Sequence, residues 1–312
     1  MKRAMLLLVI LSVLAAIPSW GAALGTAAGS VIPKDVQQII TVDYRQLAAS
    51  PTALALKAKV LPDNLKNLET ALRGAGIDPD KDVDSLIFAS FRTEDKGLRM
   101  VGIAQGQFNK AKFVKNARTK KITPVKYHTS FLYPMGSGMQ ITFLDESSLL
   151  FGESAAVQAA LDARDGNAES MTANSRMSDL VRSADPGAVW SVLDAGGTQN
   201  MMRSSLGDAA RLADFETVKK RLLGSYYTMD FTHGVKFDLS VVTADSMTAA
   251  TMSSLLRAGM MFKKMNATGP EKVALDNVSV DNDNDHLVLH FKTDDDKFQS
   301  LLQSPMFTSF TR

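Results

Sequence analysis

Apolar and polar positions alternate along Asp82–Phe91 (DVDSLIFASF), with Val83, Ile87, Ala89 and Phe91 on one face. That is the pattern of a half-buried strand. The polar connection Arg92–Gly97 ends in glycine and reads as a hairpin link. Leu98–Gln105 is apolar at most positions and fits a central strand. Asn109 then suits the N-cap of a basic helix with a thin apolar stripe of Ala111, Phe113, Val114 and Ala117. Tyr127–Met135 and Met139–Leu144 predict a second hairpin across Gly136-Ser137-Gly138. A short strand, Ser148–Phe151, leads through Gly152 into a helix over Glu153–Ala163, stopped at Arg164-Asp165-Gly166.

Upstream, Ile39–Tyr44 reads as a strand, and helices are expected over Thr52–Val60 and Leu65–Arg73. One short helix is expected around Met177, Leu180 and Val181, before the breaker Asp185-Pro186-Gly187. After Ala188 the same order returns. Ala188–Leu193 matches Ile39–Tyr44, and helices follow over Thr198–Leu212 and Phe215–Leu222, with Gly224 as a C-cap. Tyr226–Phe231 pairs with Val235–Thr243, and Asp245 or Ser246 caps a long helix reaching Met265. Val278–Val280 pairs with Leu287–Phe291, and Asp294 caps a last helix carrying Phe298, Leu301 and Leu302. The expected fold class is α+β: two tandem modules, each a mainly antiparallel sheet with helices packed on one face. The expected divisions are a signal peptide at 1–23, a linker at 24–30, a first module at 31–186 and a second at 187–312.

The first 23 residues change the charge picture. Lys2 and Arg3 precede the 13-residue apolar run Met5–Ile17, and Pro18 and the small residues up to Ala23 suit a signal peptidase. The run is short for a membrane span, which needs roughly 20 residues. Cleavage after Gly21 or Ala23 would place the protein in the periplasm or outside the cell, touching a membrane only through this segment where it is retained. Its loss turns 35 basic and 33 acidic residues into 33 and 33, so the overall charge gives no reason to expect nucleic acid as a partner. The locally basic Lys110–Lys126 reads as a solvated helix face. With no cysteine, the chain has no disulfide, no lipoprotein cysteine and no thiol nucleophile.

The phrases VDYRQL, GAGIDPDKDVDSL, GIAQGQF, LLFGESAAVQAALDARDG and VVTADSMTAA together resemble a group of bacterial exported proteins. These are built from two such α+β repeats and are described only as domains of unknown function. The resemblance spans roughly Val31 to the C-terminus. Its motifs are turns and caps, so it implies fold and export and transfers no catalytic residue.

Candidate chemistry is sparse. Gly152-Glu153-Ser154-Ala155-Ala156 sits between a strand and a helix, the context of a nucleophile elbow, and is similar to the G-E-S-A-G of carboxylesterases. The last glycine is Ala156 here, and no H-G-G-G segment precedes it. Partners would be Asp230 or Asp238 with His233, His286 or His290. A plain helix start, with Glu153 at the positive dipole end, accounts for the same residues. Asp281–Asp285 imitates a calcium loop but has His286 where glycine is needed and Lys292 where a bidentate Glu is needed. His286 and His290 share a strand face without a third ligand at metal spacing. No metal, cofactor or catalytic residue is therefore expected. In the Met-rich helix, Met252, Leu255, Leu256, Gly259 and Phe262 form a stripe suited either to core packing or to a hydrophobic groove, for which Met252, Leu256, Met260 and Phe262 are the candidates. The leading expectation is an exported, non-enzymatic binding or structural protein of the bacterial envelope that holds a hydrophobic ligand or peptide. The alternative is an esterase-like serine hydrolase centred on Ser154.

Overall fold

The computed structural model describes residues 24–93, 97–206, 215–267 and 269–304. The expected signal peptide, the middle of the Arg92–Gly97 connection and the end of the helix reaching Leu212 lie outside the described residues. The chain opens with α1 (Thr26–Val31) and β1 (Val36–Asp43). Four helices then lead to the next strand: α2 (Tyr44–Ala48), α3 (Pro51–Val60), α4 (Asp63–Ala75) and α5 (Pro79–Asp82). The hairpin β2 (Val83–Arg92) and β3 (Leu98–Gly106) is followed by α6 (Lys110–Thr119). Next come β4 (Val125–Tyr127), β5 (Ser130–Pro134), β6 (Met139–Phe143) and β7 (Ser148–Glu153), then α7 (Ser154–Arg164) and α8 (Ser175–Ser183). The second half runs β8 (Val189–Asp194), α9 (Ala195–Leu206), α10 (Phe215–Lys219), β9 (Leu222–Asp230) and β10 (Val235–Thr243). It closes with α11 (Ser246–Asn266), α12 (Pro270–Asp276), β11 (Val278–Asp283), β12 (His286–Thr293) and α13 (Asp295–Leu302).

The twelve described strands form one sheet in the order β11-β12-β10-β9-β8-β1-β2-β3-β7-β6-β5-β4. Every described pair is antiparallel, including the central pair of β1 with β8, where Thr41 faces Trp190. The protein is thus α+β around a large antiparallel sheet. Side chains directly opposite one another in such pairs share a face, so each face can be followed across the strands. On the first face, Leu150, Ile103, Ile87, Thr41 and Trp190 stand in one row. They are buried under α1, α7 and α8 through Ala28, Val31, Ala156, Ala160, Met177 and Leu180. On the second face, Phe151 and Phe88 meet α4 and α6 through Leu65, Leu68, Leu72 and Phe113.

Helices therefore cover both faces of the first half, not one face as expected. The physical reason is the composition of β7, where Leu149, Leu150 and Phe151 are all buried. A strand apolar on both sides needs cover on both sides. In the second half β8 and the adjoining part of β9, through Trp190, Val192 and Tyr226, join the first-face core; the other described apolar clusters lie on the second face, under α9–α13. Two other expectations are corrected. The stretch read as a linker forms α1, whose Ala28 packs at 2% exposure against the core. Gly224 is not a helix cap but lies inside β9, where a Cβ would press on Leu180. Among the described residues no helix is long and apolar enough to cross a membrane.

Candidate functional site

Past Trp190 the first face changes character. The row that begins with Leu150 and Ile103 continues through Thr228, Asp238, His290 and Ser279. Period-two alternation produces this face: in β10 and β12 the apolar partners Leu239 and Leu289 point the other way, into the second-face core. The result is an open, polar sheet surface. His290 Nδ1 lies 2.6 Å from Asp238 Oδ1, and the Lys236 ammonium lies 2.7 Å from Asp238 Oδ2. Partial burial raises the Asp238 carboxyl, but the hydrogen bonds from His290 and Lys236 outweigh it and hold the group below its ordinary range.

Ser279, His290 and Asp238 form a Ser–His–Asp succession that sequence reading missed, because strand register decides it and no motif announces it. The serine faces the histidine across β11 and β12 without a hydrogen bond between them, and both are exposed. A working triad requires that bond and oxyanion donors beside it.

Ser154 opens α7, where its hydroxyl accepts a hydrogen bond from Gln158 Nε2 at 3.3 Å. Its one described partner is thus on its own helix. Glu153 occupies the N-cap without a side-chain capping bond. His128 bonds Asp162 at 3.0 Å and His286 bonds Asp285 at 2.8 Å. The structure does not bring Ser154 to a described histidine–carboxylate pair.

The Met-rich stripe divides. Met252 is fully buried and Leu256 is 8% exposed, both in the second-half core, and Met260 packs partly buried against them. Phe262 lies on the outside at 69% exposure. In the Asp281–Asp285 stretch, Asp281 pairs with Arg257 at 2.8 Å and Asp285 with His286. Among the described residues no group of three or more His, Asp or Glu side chains is arranged to hold a metal. A cavity of about 640 Å³ lies on the first face beside Phe91, Arg92, Arg99 and Asp162. Its charges are largely answered already, Lys34 by Glu169 at 2.7 Å and Arg92 by Asp194 at 2.8 Å.

These features describe an α+β protein with an open sheet face. No family model matches the chain, and no curated protein matches it. Among solved structures it is similar to TP0453. Crystal form I of that protein gives a TM-score of 0.49 at 10% identity, covering 91% of this chain and 98% of that one. Crystal form III gives 0.49 at 7% identity, covering 88% and 96%.

Proposed function

We propose that this is an exported, non-enzymatic binding or structural protein of the bacterial envelope, periplasmic or secreted, built from two copies of one α+β module. The observation that carries the binding role is the open face of β9–β12, where Thr228, Asp238, His290 and Ser279 are presented without a covering helix. A bare polar sheet face suits a macromolecular partner better than an enclosed ligand does. Export rests on the charged and apolar pattern of residues 1–23.

The strand orders support the two-module reading. The first half contributes β1-β2-β3-β7-β6 and the second β8-β9-β10-β12-β11, position for position, with β4 and β5 added at the first module's edge. The modules span residues 31–186 and 187–312 and belong with the exported two-repeat proteins whose turn and cap phrases they share.

One experiment tests export and the absence of catalysis together. The chain is expressed in a bacterial host, the envelope and soluble fractions are treated with a fluorophosphonate probe, and the protein is read by mass spectrometry. The expected result is a mature N-terminus at Ala22 or Leu24 and no adduct on Ser154 or Ser279. Intact Met1 in the cytosol would overturn export. An adduct abolished by His290→Ala or His128→Ala would overturn the non-enzymatic reading in favour of a hydrolase.

A further inference from the structure

Charge is distributed unevenly along this chain. From Gly97 to Leu144 there is no Asp or Glu, while eight Lys and Arg occur, so the other 27 basic residues share the chain with all 33 acidic ones. Arg99 is paired with Glu153 at 3.9 Å. The other seven, Lys110, Lys112, Lys115, Arg118, Lys120, Lys121 and Lys126, are all exposed, and none pairs with a described carboxylate. Cations elsewhere generally do pair, as Lys57 does with Glu69, Arg203 with Glu216 and Arg257 with Asp281.

Local structure accounts for three of the seven. Lys112 and Lys120 reach the carbonyl end of α4: a Cβ on Gly74 would lie 2.7 Å from Lys120 Nζ, and one on Gly76 would lie 3.4 Å from Lys112 Cε. Cations there are favourable to the helix dipole. Lys110 stands 5.7 Å over the Phe143 ring. Lys115, Arg118, Lys121 and Lys126 have no such use. Lys121 is held in the left-handed region at φ 57°, closing α6 where glycine would be cheapest. The bond from Ile122 N–H to Ala117 O at 2.9 Å fixes it there, in a conformation unfavourable for an L-residue.

Beside these cations the sheet ends in the β4–β5 hairpin, whose strands expose apolar side chains. Phe131 and Val125 are each 53% exposed on the β4–β5 hairpin. Phe131 stands opposite Lys126. It also shares a strand face with Tyr133, whose ring meets Phe113 of α6 at 5.1 Å, so it lies on the side of the sheet that carries α6. Val125 is opposite Leu132, on the hairpin's other face. The end of the sheet is thus an apolar wedge backed by unpaired cations.

We infer that this end of the molecule docks on an anionic lipid surface, Phe131 on the hairpin's edge entering the headgroup layer and Lys115, Arg118, Lys121 and Lys126 meeting the phosphates. Interfacial anchors combine Lys and Arg with exposed aromatic and aliphatic residues in this way. A nucleic-acid groove would place its stacking aromatics among the cations. The groove along α6, lined by Lys110, Val114, Lys115, Arg118, Thr119 and Glu146, has none. This surface is distinct from the open face of β9–β12.

The test is co-sedimentation of the full chain with vesicles of phosphatidylcholine alone and with vesicles that also contain phosphatidylglycerol. Residues 1–23 are common to every variant, so differences between variants report on the patch. The expected result is a preference for the anionic vesicles that weakens as salt rises. The triple variant Lys115→Gln, Arg118→Gln, Lys121→Gln should lower that preference about a hundredfold, at about fivefold for each cation. Phe131→Ser should reduce what binding persists in high salt. The charge-matched variant Lys59→Gln, Lys272→Gln, Lys292→Gln should leave the preference in place. Equal binding to both vesicles, equal losses from the two triple variants, or retention on single-stranded DNA with no binding to vesicles would each overturn the inference.

Discussion

Tyr44 sits at the centre of the densest polar network described. Its hydroxyl accepts from Lys57 Nζ at 2.8 Å and donates to Asp80 Oδ1 at 3.0 Å, while Lys57 reaches Glu69 at 2.6 Å. Arg73 pairs with both Asp78 and Asp80. The Arg73 hydrogen bond, aided by Tyr44 and opposed by burial, holds the Asp80 carboxyl below its ordinary value. A carboxylate depressed in the folded state stabilises the fold above its unfolded pKa, and that contribution is lost as pH falls through the lower folded value. Stability measured by urea unfolding should therefore decline below about pH 4. Asp80→Asn should flatten that decline, and an unchanged acid profile would contradict the assignment. None of these partners was legible in the sequence, because the network joins α2 to α5 through side chains on separate turns. Spacing did show that Met252 and Leu256 share a stripe, but not that the stripe faces the core rather than a groove.

Helix starts were the most legible elements. Asn109, Asp245 and Asp294 each precede an apolar stripe, and each accepts a backbone N–H of the first turn, from Lys112, Thr248 and Lys297. Asp245 also accepts the Thr248 hydroxyl at 3.0 Å and pairs with Arg221. Asp245→Ala should cost about 0.5–2 kcal/mol, read as a lower denaturant midpoint with an unchanged slope. Asp245→Ser, which keeps the cap without the charge, should recover most of the loss; a loss as large as alanine's would show that the ion pair dominates. The four helices that sequence reading missed are short, six residues for α1, five for α2, four for α5 and seven for α12. Helices of that length are marginal alone and exist through packing. For α1 the packing comes from Ala28 and Val31 against the first-face core, a contact that no local pattern encodes.

For the whole molecule, alternation assigned most strands and their faces, yet it could not assign neighbours. Nothing in Ile39–Tyr44 or Ala188–Leu193 announces that they pair with each other, because period-two patterning fixes which side chains are buried and leaves partner choice to tertiary packing. That pairing, Gln38 with Leu193 through Val42 with Val189, turns two expected sheets into one. It also sets Ile39 and Val192 opposite each other, both fully buried, in the core under α7 and α8. The open polar face follows, since the first-face helices reach only as far as this junction and β9. The two halves therefore share a continuous sheet with β1 and β8 in its interior. Native-state hydrogen exchange of the full chain tests it most directly. The hydrogen-bonded amides of Gln38–Val42 and Val189–Leu193 should exchange as slowly as those of β2 and β3, through the same opening. Exchange at those positions as fast as at the exposed turn residues Thr232 and His233, with β2 and β3 still protected, would contradict it.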